Sequence, residues 1–185
     1  MLAYLFWHTP LPGVELRDYE SALLAFLADF TRAPPSGFVA GATYRISEVP
    51  WLDNHGGYED WYLVPSSAAL DGLNEAAVSP QRWDVHAAIA SKMGSGHGGL
   101  YQHLYGGEQP LDGQRAVWMT RPRGIRYQPV LQRLVDDATG FLSCWRRQMV
   151  LGPADEFLVI GTPQLKLSIP EGWQMRTVKR TNLSS

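Results

Sequence analysis

The chain has 185 residues, of which 45% are hydrophobic and 18% charged, with a formal net charge of −2; that composition excludes a disordered chain, and the length suffices for one core or two small fused halves. A single cysteine, Cys144, excludes an intramolecular disulfide. No apolar run approaches the roughly 20 residues that span a bilayer, and the opening Met-Leu-Ala-Tyr-Leu-Phe-Trp has no basic start of a signal peptide, so a cytoplasmic location without membrane partners is expected.

Tyr4 to His8 is aromatic and β-rich and is stopped by Thr9-Pro10-Leu11-Pro12-Gly13, which predicts a strand. Leu16, Tyr19, Leu23, Phe26, Leu27 and Phe30 then recur at spacings of three and four, which predicts an amphipathic helix over residues 17 to 31. Phe38 to Ile46 and Glu59 to Val64 read as strands, separated by an irregular stretch with Pro50, Trp51 and His55-Gly56-Gly57. Residues 66 to 73 and 81 to 93 read as helical, and Leu100 to Tyr105 as a strand bounded by glycines. The run Gly94-Ser-Gly96-His-Gly98-Gly99 fits G-x-G-x-x-G literally, but a dinucleotide turn needs a strand before it and a helix after it. The order here is reversed, so the run is expected to be a flexible connection.

Past Pro110 the pattern returns. Ala116 to Pro122 answers Tyr4 to Pro10, with a proline closing each strand, and Tyr127, Val130, Leu131, Leu134 and Val135 repeat the helical spacing. Gly37-Phe38 and Gly140-Phe141 each open a strand, and Glu59-Asp60 and Asp155-Glu156 each lead into four strand residues. Trp173 to Lys179 is a last strand, after a segment that Pro163 and Pro170 make too poor for a helix. Landmarks repeated in one order indicate an internal duplication. The fold class is α+β: a first β-α-β-β-α-β unit over residues 1–110 and a second, abbreviated one over 111–185, packed as one compact unit. Each would form a four-stranded antiparallel sheet with its helices on one face.

This order resembles the dimeric α+β barrel superfamily in its tandem form, where two ferredoxin-like repeats lie in one chain and their sheets close into a barrel. The resemblance spans nearly the whole chain and rests on element order and the repeat. It implies a small organic ligand held between sheet and helices. Members include cofactor-free monooxygenases of the antibiotic-biosynthesis type, stress-response barrel proteins and haem-binding chlorite dismutase-like proteins. In the last group the axial histidine typically lies in the second repeat. No histidine follows His103 in this chain, so no cofactor is expected and haem is disfavoured.

Residues 1 to 110 carry 5 Lys+Arg against 12 Asp+Glu, and the remainder 11 against 6. The arginines of the second half are scattered, which favours two halves of opposite sign over a nucleic-acid surface. Arg45, Arg146 and Arg147 are expected to pair with the strand acids Glu59, Asp60, Asp155 and Glu156. The histidines show no zinc spacing, so no metal site is expected. Cys144, between Leu142, Ser143 and Trp145, reads as inert core.

Strand alternation groups the remaining candidates. Tyr101, His103 and Tyr105 share one face, Tyr4, Phe6 and His8 another, and Asp60 and Tyr62 a third. If these faces line one cavity, His103 or His8 would act as base, with Asp60 fixing its tautomer, while Phe6, Tyr62, Tyr101 and Tyr105 hold a planar ligand. The functional expectation is a barrel that binds a small aromatic or polyketide-like molecule, in the manner of a cofactor-free monooxygenase. The alternative is a non-catalytic barrel used for self-association, such as a homodimer, or for partner binding.

Overall fold

The computed structural model describes residues 1–108 and 111–184; the expected boundary between the repeats, at Pro110, lies outside the described residues. The first unit comprises β1 (Leu2–Pro10), α1 (Leu16–Arg32), β2 (Ala40–Val49), β3 (His55–Val64), α2 (Leu70–Ala77), α3 (Trp83–Ala90) and β4 (Met93–Gly106). The second comprises β5 (Arg115–Thr120), α4 (Gln128–Asp136), β6 (Thr139–Arg147), β7 (Phe157–Lys166) and β8 (Gln174–Asn182). Pro163 lies within β7, and the short connection from β7 to β8, which contains Pro170, forms no helix.

The strands close into a barrel in the order β1-β3-β2-β8-β5-β7-β6-β4. Within it, β4-β1-β3-β2 and β8-β5-β7-β6 repeat the same arrangement, and every pairing is antiparallel. The halves join where β2 meets β8 and where β4 meets β6.

Alternation sends Leu5 and Trp7 of β1, Trp61 and Leu63 of β3, Trp118 of β5 and Trp145 of β6 into the barrel, where all are buried. Trp7, Trp51, Trp118 and Tyr101 meet edge to face at centroid distances between 5.0 and 6.2 Å. Glu59 lies among them. It accepts hydrogen bonds from Trp7 Nε1 and Trp61 Nε1, both at 2.8 Å, and faces Arg180 Nε at 3.1 Å. The Arg180 guanidinium sits 3.6 Å from the Tyr44 ring centroid. One buried ion pair therefore ties β3 of the first half to β8 of the second. The tryptophans that could have walled a pocket mostly fill the barrel.

Two sequence expectations are corrected. Gly94 to Gly99 is the first half of strand β4, paired with β1 from Thr9↔Ser95 to Leu5↔Gly99, and is no loop. Gly96, Gly98 and Gly99 are required because aromatic rings of β1 lie over them. A Cβ on Gly96 would come within 2.5 Å of the Phe6 ring, and one on Gly98 within 2.7 Å of the Tyr4 hydroxyl. The proline-anchored match of the repeats is also out of phase, as is the match of Glu59-Asp60 to Asp155-Glu156, since Trp7 pairs with Glu59 where Trp118 pairs with Leu158. Ala116 and Trp118 point into the barrel and Val117 and Met119 out of it, so Trp118 corresponds to Trp7 and not to Phe6. A slip of one residue exchanges the faces of the sheet.

Candidate functional site

Outside the barrel, the sheet face of β1 and β3 is roofed by α1, α2 and α3. Helix α1 turns Tyr19, Leu23, Phe26, Leu27 and Phe30 inward. Buried Arg82 fastens the roof by forming an ion pair with Asp29 at 2.8 Å and covering the Phe30 ring at 4.7 Å. Between roof and sheet lies a cleft of about 570 Å³, within the range of small-molecule sites. Tyr4, Phe6, Asp60 and Tyr62 form its sheet wall; Leu23, Phe26, Phe30, Leu73, Ile89 and Met93 supply apolar walls, and Asp71, Asn74 and His86 add polar groups from α2 and α3. Among the described residues, neither Lys nor Arg lines it.

Asp60 is the buried carboxyl of the cleft. Its Oδ1 accepts a hydrogen bond from Thr43 Oγ1 at 2.7 Å, and its Oδ2 stands 3.2 Å from His8 Nε2. The other ring nitrogen of His8, Nδ1, lies 2.7 Å from the Tyr19 hydroxyl. His8 and Tyr19 have no exposed surface, and the His8 ring stacks on Tyr58 at 5.6 Å. Burial, and secondarily the Asp60 charge, push the Tyr4, Tyr19 and Tyr62 hydroxyls above the usual phenol range, so they stay protonated. The arrangement is a carboxyl facing an aromatic cavity, backed by a sealed imidazole and phenol.

The structure brings His8, Asp60, Phe6 and Tyr62 to this one region, with the geometry inverted from the expectation. Asp60 lines the cleft, and His8 stands behind it. The residues of β4 go elsewhere. Tyr101 points into the barrel and donates to the Asp155 carbonyl at 3.0 Å. His103 follows it inward, against the Trp145 ring at 5.0 Å, where burial lowers its pKa. A bulge at Leu104 reverses the alternation, so that Tyr105 pairs with Cys144 and packs with the outer cluster of the second half. The correction follows from register: Tyr4 pairs with Leu100 and Ala3 with Tyr101, so Tyr101 shares the barrel side with Ala3. His103, Tyr101 and Tyr105 do not reach the cleft.

Sequence reasoning missed Tyr19, Thr43 and His86. Tyr19 was visible as the polar-tipped member of the buried stripe of α1, whereas nothing in the sequence marks Thr43 or His86. The expected strand ion pairs hold in part. Arg146 and Arg121 meet Glu156 and Arg176 meets Asp155, but Arg45 turns to Glu20 on α1. Arg147 bonds the carbonyls of Gly152 and Ala154. Much of the second half's positive charge is thereby used internally. Cys144 is buried, and its thiol is pushed up to about 12.

Among the described residues, no group of three or more His, Cys, Asp and Glu side chains is placed to hold a metal ion. The space of the second half that corresponds to the cleft is packed with Met119, Leu131, Leu134, Phe157, Val159 and Trp173. It offers neither a histidine nor room, so these residues do not fit an axially held haem.

No protein-family model matches the sequence, and no curated protein does. Solved structures match it along nearly its whole length. A candidate monooxygenase from Fusobacterium nucleatum superposes with a TM-score of 0.61 at 8% identity, covering 98% of this chain and 92% of the other. A candidate monooxygenase from Lactobacillus acidophilus gives 0.53 at 8% identity, covering 98% and 94%. A candidate chlorite dismutase gives 0.53 at 11% identity, covering 99% and 96%. At such identities the likeness is one of fold alone: an α+β barrel in which two ferredoxin-like units close into one eight-stranded antiparallel sheet.

Proposed function

We propose that the chain binds a planar, hydroxylated aromatic molecule of polyketide-like character in the first-half cleft and oxidises it as a cofactor-free monooxygenase. One observation carries the reading: a cleft of about 570 Å³ walled by aromatic rings whose sheet side presents a buried carboxyl, Asp60. Aromatic walls suit a flat ligand. Asp60 takes a proton from a ring hydroxyl or an adjacent acidic carbon. The electron-rich anion then reduces dioxygen, so that a CH₂ group and O₂ become a carbonyl and water, with no other redox partner needed. Two of the solved structures with this fold are candidate monooxygenases, which agrees with the reading by analogy. The absence of Lys and Arg from the described lining favours neutral hydroxyarenes over their carboxylated analogues. No helix among the described residues is long and apolar enough to cross a membrane.

The test is calorimetric titration with 2-naphthol, 2-naphthoate and anthrone, together with oxygen uptake on anthrone above the uncatalysed rate. Binding of 2-naphthol and anthrone but not 2-naphthoate is expected, with oxygen uptake falling about 100-fold or more in Asp60→Asn. Binding without uptake would reduce the protein to a carrier; no binding would end the reading.

A second reading, self-association, is favoured by one surface. Along Met93–Gly98, β4 pairs with β1 on one edge and with no strand on the other among the described residues. Beside it Met149, Val150 and Leu151 are 77, 81 and 50% exposed, and Leu100 N–H bonds the Leu151 carbonyl at 3.0 Å. An uncovered edge beside apolar side chains suits a second copy of the chain. Sedimentation of the native chain and of Val150→Glu decides it. A dimer lost in the variant supports the reading, and a monomeric native chain removes it.

A further inference from the structure

The cleft reading makes Asp60 the group that meets the ligand, and the residues behind it supply a further inference that rests on that reading. Tyr19 reaches His8 from α1, His8 stands on β1, and Asp60 lies on β3. These three elements have no reason to converge on polar groups in a region otherwise packed with Leu23, Phe26, Tyr58 and Ile89. A buried hydroxyl must donate its proton or leave it unsatisfied at a cost of about 1–3 kcal/mol. For Tyr19, whose residue has no exposed surface, the acceptor in reach is His8 Nδ1, at 2.7 Å. If Tyr19 donates, Nδ1 carries a lone pair and the ring proton sits on Nε2, which then donates across 3.2 Å to Asp60 Oδ2. The reverse assignment leaves the Tyr19 proton without a partner and sets a bare Nε2 lone pair against a carboxylate oxygen.

We infer that Tyr19 is a positioning residue that locks His8 as the neutral Nε2–H tautomer, so that Asp60 is presented to the cleft as an anionic base held by neutral donors. The distinction is chemical. An imidazolium beside Asp60 would form an ion pair and blunt its basicity toward a ligand hydroxyl. A neutral donor fixes the carboxylate's orientation and leaves its charge uncompensated. Thr43 Oγ1, another donor, is also neutral. Among the described residues, no cation stands against His8. Its ring is faced by Tyr19 from α1, by Phe6 at 5.2 Å from its own strand, and by Tyr58 and Asp60 from β3. On the β4 side its register partner is Gly96, which carries no charge. Tyr58 is itself held neutral, its hydroxyl pushed up to about 12 by burial and by its bond to Glu20. The lock therefore works by hydrogen-bond direction, with Tyr19 as the single part that determines it.

The test is nitrogen-15 spectroscopy of the imidazole of His8 in the ligand-free native protein at pH 7, assigned with His8→Gln. The expected spectrum shows Nε2 bearing the proton and Nδ1 as an unprotonated acceptor. In Tyr19→Phe, which keeps the ring, the lock is lost, and the His8 signals move to a tautomer mixture or to imidazolium. The oxygen uptake proposed above then falls through kcat by about 10-fold or more, with KM little changed. A native spectrum with a proton on Nδ1 overturns the inference, as does a Tyr19→Phe spectrum identical to the native one. If Tyr19→Phe does not fold, the native spectrum decides alone. Failure of 2-naphthol and anthrone to bind would overturn the ligand reading and leave the tautomer result standing, so the two failures are distinguishable.

Discussion

In the first half of the barrel, the outer face of β1 and β3 carries His8, Tyr58 and Asp60 beneath helices that stand off far enough to leave a cleft. In the second half, β5 and β7 carry Met119, Phe157 and Val159 beneath α4 and Trp173, and the space is packed. With Trp7 and Trp118 set in register, each polar residue has an apolar counterpart: His8 answers to Met119, Asp60 to Val159, Tyr58 to Phe157, and the interior acid Glu59 to Leu158. Strand order, pairing direction and the side on which helices lie are common to both halves. What separates a candidate site from a plain core is a set of substitutions on one face and a helix pair, α2 and α3, replaced by the turn that brings in Trp173. The lesson is that the duplicated sheet is the scaffold, and that only one copy has been given polar groups and room.

That comparison can be broken from either side. The largest expected effects come from the two packed regions. Glu59→Leu gives the first half the residue of the second and strands Arg180, whose side chain has no exposed surface; a loss of about 3–5 kcal/mol in chemical denaturation is expected. Trp173→Ala removes the plug of the second half and is expected to cost about 3–5 kcal/mol. In that variant, apolar dyes should bind where none bind in the native chain.

A pH effect of intermediate size follows from the buried phenols. Burial pushes Tyr44 up to about 12 and holds Tyr19, Tyr62 and Tyr101 well above the ordinary phenol value of 10. Because the folded value is the higher, the contribution is complete below pH 10 and is lost as pH rises through the folded value. For Tyr44 alone this is about 3 kcal/mol lost between pH 10 and 12. Tyrosinate absorbance near 295 nm should rise together with unfolding. Independent ionisation in a folded chain would count against the burial described.

Converting the site to its counterpart, His8→Met with Asp60→Val, should leave the fold intact, since the second half is built that way, and weaken 2-naphthol binding by about 10-fold or more. The smallest effect is expected at the glycine stripe. Gly98→Ala pushes the Tyr4 ring off β4 and toward the cleft, for about 1–3 kcal/mol of overpacking, with a measurable change in ligand affinity.

The repeat and the element order were legible because strands, helix stripes and turn prolines are local signals. Tyr4 to His8 and Leu16 to Phe30 carry their periodicity openly. What was not legible was register. A proline at the end of each strand aligned Pro10 with Pro122, one residue away from the alignment that places Trp7 and Trp118 on the same side of the sheet. Gly94 to Gly99 read as a loop because its strand character comes from the rings of Tyr4 and Phe6, two strand positions that say nothing about their partner. The candidate site divided along the same line. His8, Asp60, Phe6 and Tyr62 share a region because their own strands alternate regularly, while a bulge at Leu104 and the register of β4 carried Tyr101, His103 and Tyr105 away. The helix pair roofing the cleft contributed His86 and Asn74 with no sequence signal, since their roles arise only from where α2 and α3 come to lie over the sheet.

The most direct measurement is methyl chemical-shift mapping of the native protein during titration with 2-naphthol. The account predicts saturable shifts for the methyl groups of Leu23, Leu73, Ile89 and Met93, which line the first-half cleft, and none for Met119, Leu131 and Leu134, which fill the second. Shifts centred on the second half, or none at all, would contradict it.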